Sequence, residues 1–220
     1  MSCATQISGT LHAEGQADLN VNTSLGTAIT GLIRAFATVS GEFSPDAPVL
    51  DGAAVSASMS VAPGIESVSL RNRTPTRLEG PVRISQISSF LASGNAAGFI
   101  NFEQRANGGS CTINLSLSSG PGVLSHLSPE IHGYLEALMA PLATGERLTR
   151  TEYLELVSSV YGRGVSDEIA ASRINVSLEF PGQVQSVRGG TYSGRRAEFD
   201  IPLVSVLVLE VPLSYEVIWN

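Results

Sequence analysis

Residues 5–21 read TQISGTLHAEGQADLNV, and apolar or small residues take every second place. Ile7, Gly9, Leu11, Ala13, Gly15, Ala17, Leu19 and Val21 share one face. Gln6, Ser8, Thr10, His12, Glu14, Gln16, Asp18 and Asn20 share the other. A period of two belongs to a strand with one dry and one wet face, so one long strand is expected here. Its dry face is rich in Gly and Ala, which calls for a close, bulky neighbour, expected to be a helix.

Outward from this stretch, Thr23 or Ser24 is placed to cap a helix carrying Leu25, Ile29, Leu32, Ile33 and Phe36, with Gly41 as its stop. Residues 51–61 carry two patterns. Alternation of Val55, Ala57, Met59 and Val61 with serines reads as a strand. Asp51 as a cap and Pro63-Gly64 as a stop read as a short helix, the preferred assignment. Strands are expected at 65–71 and 76–84. A short helix with Ile87, Phe90 and Leu91 follows, closed by Gly94, and then a hairpin across Ala106-Asn-Gly-Gly109.

The middle of the chain turns helical. Ser128-Pro129-Glu130 opens a helix with Ile131, Tyr134, Leu135, Leu138, Met139 and Leu142 on one stripe, ended or kinked by Pro141. Thr149-x-x-Glu152 is a capping box, followed by Tyr153, Leu156, Val157, Val160 and Tyr161, with Gly162 as the stop. A third helix is expected over 166–172. Strands return at 174–180, 191–201 and 213–219, while 202–209 reads as a helical turn or a buried strand. Strands at both ends with helices between predict one α+β body over 1–220. Its mainly antiparallel sheet of N- and C-terminal strands is packed by amphipathic helices, with a weak candidate boundary at 120–125.

Composition narrows the function classes. The chain has 220 residues, a net charge of −7 and 15% charged residues, and all 13 bases are arginine. An acidic chain without a basic stripe is a poor grip for a phosphate backbone, so no nucleic-acid partner is expected. No apolar run reaches the length of a membrane-spanning helix. Two cysteines, Cys3 and Cys111, are too few for a disulfide scaffold or a four-thiolate zinc site. A Cys3–Cys111 bridge is allowed by count, but a buried free thiol at Cys111 is preferred.

The residues that carry chemistry are sparse. His126 and His132 are six apart, a spacing that does not bring two imidazoles to one helix face, so no metal site is expected. His12 falls on the wet face. No Gly-x-Ser-x-Gly is present, and Gly108-Gly-Ser110 sits in a hairpin. Gly162-Arg-Gly164 follows a helix rather than a strand, unlike a dinucleotide loop. The absence of lysine removes Schiff-base chemistry and the phosphate-loop cation. No cofactor and no enzymatic activity are expected. Arg71, Arg73, Arg77, Arg83, Arg188, Arg195 and Arg196 either meet anionic headgroups or guard strand edges, the second being preferred.

Two features speak to location and ligand. Cys3, between small residues at a chain start reading Met-Ser-Cys-Ala-Thr, reads as the lipid-attachment cysteine of a bacterial lipoprotein. Acyl chains there would supply a membrane tether. The bland alternative is an incidental residue in a frayed terminus. The adjacent amphipathic helices 128–143 and 149–162 could fold over the sheet and leave an apolar cavity. Tyr134, Leu135, Leu138, Met139 and Leu142 are then the candidate lining of a hydrophobic-ligand site, against a filled core.

Phe180-Pro-Gly-Gln-Val184, Gly189-Gly190, Gly194, Phe199 and the closing Tyr215-Glu-Val-Ile-Trp219 resemble the LppM-like bacterial lipoproteins over roughly the last fifth of the chain. Residues 201–213 look more like spirochaetal envelope lipoproteins. The resemblance implies an extracytoplasmic lipoprotein acylated at Cys3, with a cavity for lipid and no catalytic residue. The expected function is therefore a membrane-tethered envelope protein that binds or handles lipid. The alternative is a tethered structural module with a solid core and an envelope protein partner.

Overall fold

The computed structural model describes residues 3–40, 47–92, 99–105, 107–124 and 129–220. The expected stops at Gly41 and Gly94, the cap at Ser128 and His126 lie outside them.

The alternating stretch is two strands, not one. β1 (Ala4–Leu11) and β2 (Ala17–Ser24) pair antiparallel from Ala4 opposite Ser24 to Leu11 opposite Ala17. The loop between them is closed by His12 N–H on the Gln16 carbonyl and Gly15 N–H on the His12 carbonyl, with Gly15 at φ +79°. It has five residues, so the pairing partners keep the same parity and the alternation runs through the turn unbroken. The dry face joins a core to which both a second sheet and the short helices over 52–60 and 87–92 contribute, and beside Gly9 the close neighbours are Asp18 and Leu19 of the paired strand.

Around this hairpin a large mixed sheet forms. It adds β3 (Ile65–Val68), β4 (Arg71–Thr74), β5 (Arg77–Ile84), β8 (Arg173–Glu179), β10 (Thr191–Ser193) and β11 (Arg196–Pro202), in the order β10-β11-β8-β1-β2-β5-β3, with β4 also on β5. Only β1 and β8 run parallel among these pairs. The expected strand over 191–201 is split by a turn at Gly194, whose φ is +61°. A four-stranded sheet of β6 (Ile100–Arg105), β7 (Gly108–Leu115), β9 (Val184–Arg188) and β12 (Leu213–Trp219) has the order β6-β7-β12-β9. The two sheets face each other across Leu11, Val82, Phe180, Val184, Val217 and Trp219.

The helices gather around a separate core. α1 (Thr27–Ser40), α7 (Arg150–Tyr161), α8 (Arg163–Ala171) and α9 (Leu203–Val208) bury Ile29, Ile33, Tyr153, Val157, Ile169 and Val208 together. The Thr149–Glu152 capping box starts α7 as read from sequence. The stretch 202–209 resolves to helix, and so does 51–61, where Asp51 accepts from the N–H groups of Ala53 and Ala54 at the start of α2 (Gly52–Ser60). α3 (Ile87–Ala92) and α4 (Gly120–Leu124) are short. The helix expected over 128–143 is two: α5 (Pro129–Ala137) and α6 (Pro141–Thr144). Between them Met139 takes a left-handed φ of 52°. Pro141 lacks the N–H to continue a helix but suits the first turn of a new one.

The α+β body expected from sequence is what forms, its sheets mostly antiparallel and packed by helices. Pairings of β8 with β1 and of β12 with β7 join chain on both sides of 120–125.

Glycine marks where the layers touch. A Cβ on Gly109 would lie 2.4 Å from Cζ2 of Trp219, whose indole fills that space, and 2.5 Å from the Glu103 carbonyl oxygen. Gly109→Ala is therefore expected to cost about 2–3 kcal/mol in urea unfolding, as for other overpacked cores. A loss under about 0.5 kcal/mol would show that the strand and ring can move apart freely.

Candidate functional site

Cys3 is not a frayed residue. It is 8% exposed and belongs to the helical core. Its backbone N–H donates to Ser172 Oγ at 3.1 Å, and Ser172 Oγ donates in turn to the Glu168 carbonyl at 2.6 Å. Its Sγ accepts from Gly26 N–H at 3.2 Å and lies 3.7 Å from Glu168 Oε1. Glu168 is itself buried, and its carboxylate accepts from the N–H groups of Ala28 at 2.9 Å and Ile29 at 3.2 Å. Those are first-turn donors of α1, which have no partner within their own helix. Gly26 makes the arrangement fit, since a Cβ there would sit 2.1 Å from the Glu168 carboxylate. Burial is the main cause that raises the Cys3 thiol above its ordinary range. A diacylglycerol thioether on Sγ would need the space held by Gly26 and Glu168. Tether and this packing therefore exclude each other.

Three of the five candidate lining residues come together in the helical core. Tyr134, Leu135 and Leu138 pack against that cluster, Leu142 is buried, and Met139 occupies the break between α5 and α6. The three meet the same core as Tyr153, whose hydroxyl donates to the Leu138 carbonyl at 3.3 Å, and Tyr161, whose hydroxyl donates to the Ala137 carbonyl. None of them lines the apolar cavity described next.

That cavity, of about 90 Å³, lies between the two sheets. Val176, Leu178, Phe199 and Ile201 come from the large sheet, and Cys111, Ile113, Tyr215 and Val217 from the small one. Ile113, Val176, Phe199, Ile201 and Tyr215 are only half-buried. Phe199 and Tyr215 meet edge to face at 5.7 Å. Cys111 is a free thiol, and burial alone pushes it up to about 11. The sequence signal was present in the alternation of 111–115 and 174–180, but nothing local said that the two strands would face each other.

His12 and five of the seven candidate arginines have ordinary surface partners. His12 pairs with Asp18 at 2.9 Å at the surface. His132 carries no described side chain. Arg73 and Arg77 meet Glu79, Arg83 meets Asp18, Arg188 meets Glu216 and Arg195 meets Glu179. Exposed pairs of this kind contribute little stability. Among the described residues no group of three or more His, Cys, Asp or Glu could hold a metal ion, and no helix is long and apolar enough to cross a membrane.

Two measurements test this description. Glu168→Ala strands two buried N–H groups and is expected to cost about 2–4 kcal/mol in urea unfolding, with Glu168→Gln costing clearly less. A neutral Glu168→Ala would remove the capping role. For Cys111 the folded pKa is about 11 against an ordinary 9.0. Its stabilising contribution is whole below pH 9 and is lost as pH rises to about 11, a fall of roughly 2–3 kcal/mol. Urea midpoints at pH 8 and pH 10.5 should show that fall in the wild type and a smaller one in Cys111→Val.

No protein-family model and no curated protein sequence matches the chain. Among solved structures, the NMR structure of the folded domain of Mycobacterium tuberculosis LppM is similar in outline. It aligns over 99% of this chain and 89% of its own, with a TM-score of 0.43 and 10% identity. At that level of likeness no residue role is carried across.

Proposed function

We propose that the chain is a non-enzymatic, extracytoplasmic lipoprotein of the bacterial cell envelope that holds the end of an aliphatic chain between its two sheets. The observation that carries the ligand half is the inter-sheet cavity, whose walls are almost wholly carbon and come from both layers. An apolar cavity of this kind stays dry and takes apolar guests. Its 90 Å³ corresponds to roughly three water volumes. Sites that enclose a whole small ligand run to about 300–1,000 Å³. The guest is therefore a chain terminus, with the sheets parting to admit more of it. The envelope half rests on the Phe180-Pro-Gly-x-Val184 to Trp219 resemblance and on Cys3 as the acylated residue. Acylation would draw Cys3 out of the helical core.

A second reading, a tethered interaction module with a solid core and an envelope protein partner, is favoured by the same small volume. The two part company on the reactivity of Cys111. Alkylation followed by peptide mass mapping is expected to slow at least fivefold as decanoate is added, in a saturable way. Ile113→Trp, which fills the cavity, should abolish that protection. An unchanged alkylation rate, with a clean apo mass after gentle extraction, overturns lipid binding and leaves the module. Palmitate labelling of the full-length precursor should place label on Cys3 and lose it in Cys3→Ser. No label overturns the tether.

A further inference from the structure

The outer face of the large sheet carries a recess that neither the inter-sheet cavity nor the N-terminal contacts account for. Its volume is about 750 Å³, and it crosses β1, β8, β11 and the start of β10. Register places its side chains, since cross-strand neighbours share a face. Gln6, Asn175 and Asp200 form one row, and Ser8, Ser177, Glu198 and Thr191 form the other. The row between them, Ile7, Val176 and Phe199, turns to the opposite side, where Val176 and Phe199 line the inter-sheet cavity. Of the seven outward side chains six are exposed, and Ser177 is half-buried. Ser8, Ser177 and Thr191 are short, and Gly189 and Gly190 bring the chain to the rim without side chains, so the floor lies low.

Elsewhere on this face the polar side chains are partnered. Asn22 accepts from Arg77 Nε at 3.2 Å, Glu79 pairs with Arg73 at 2.6 Å, and Asp18 with Arg83 at 3.4 Å. In the recess, Gln6, Ser8, Asn175, Ser177, Thr191 and Glu198 have no hydrogen-bond or ion-pair partner among the described residues. Asp200 has one, Arg173, at 3.9 Å just outside. The amides and hydroxyls both donate and accept, and the two carboxylates accept only. No cationic side chain among the described residues lines the recess, so an anion meets Glu198 and Asp200 unscreened. An amine uses the acceptors alone, and an apolar guest uses nothing. A sugar hydroxyl donates and accepts at one atom, as this surface does. We propose that the recess binds a neutral saccharide, with Glu198 and Asp200 accepting from hydroxyls and Gln6 and Asn175 each spanning a neighbouring pair. From β1 to β10 the recess runs about 14 Å, three strand spacings, which suits a short oligosaccharide better than a single ring. Its volume falls in the range of about 300–1,000 Å³ usual for small-ligand sites. The site is separate from the inter-sheet cavity and does not depend on lipid binding.

NMR amide-shift titration of the full chain with maltotriose, cellotriose and triacetylchitotriose tests this. At least one is expected to give saturable shifts in the millimolar range, confined to residues 6–8, 175–177, 189–191 and 198–200. Ser8→Tyr fills the recess from an exposed strand position that accepts an aromatic ring. It should abolish those shifts and leave the urea midpoint unchanged. Glu198→Gln removes a charged acceptor and should weaken binding at least fivefold. Silence with all three sugars, or shifts that persist unchanged in Ser8→Tyr, overturns the proposal. Saturable shifts with spermidine while the sugars stay silent would make this a cation site and overturn the saccharide class.

Discussion

The fold depends on one carboxylate. Glu168 reaches from α8 to the opening turn of α1, some 140 residues earlier, and satisfies donors that the helix cannot satisfy itself. The same contact gathers Cys3, through its thiol and through Ser172. Arg173 N–H then donates to the Cys3 carbonyl at 3.3 Å, and the next pair in line is Ala4 with Arg173, the first of the parallel β1–β8 ladder. A one-residue slip in that ladder would turn every β1 side chain to the wrong face. The cap therefore sits at the first rung of the β1–β8 ladder and ties the end of the large sheet to the helical core.

This explains why helices and strands form two cores without separating into two bodies. Cys3 packs with α1, α7, α8 and α9, while Leu11, eight residues on, packs between the sheets. A single strand thus crosses from one core to the other. It also sets the terms for any membrane tether. A thioether-linked lipid at Cys3 must break a contact at the first rung of the β1–β8 ladder, so anchoring carries a structural cost unless the N-terminal residues exchange between two states.

Much of the architecture was legible because local chemistry and final structure agree. The Thr149 capping box, Asp51 as a cap and Gly162 as a stop all rest on contacts within a few residues. The misread strand over 5–21 has the opposite cause. A five-residue turn preserves parity, so period-two patterning cannot reveal it, and only the left-handed φ at Gly15 betrays the reversal. The break at Met139 is similar, since Tyr134, Leu135 and Leu138 before it and Leu142 after it are all apolar and turned inward, so the stripe reads as unbroken. The candidate sites were less legible. Glu168 lies within the helix expected over 166–172 with nothing local to single it out, because its partners are far along the chain.

The C-terminal motif itself is best understood as packing. Phe180 is 1% exposed and stacks on Trp219. Gly182 leaves room for the backbone of Asn220, and a Cβ on Gly189 would meet the Tyr215 ring at 2.6 Å. Gly190 lies as close to the Glu198 carbonyl and the Phe199 ring. Gly182 stands on the connection from β8 in the large sheet to β9 in the small one, and Gly189 and Gly190 on the return from β9 to β10. Two sheets joined by such a connection require small residues there whatever the protein binds. The Phe-Pro-Gly turn, the paired glycines and the final aromatic strand are thus a signature of how the layers are stitched together. Function has to be sought in what the stitching leaves open, the apolar cavity between the sheets beside Phe180.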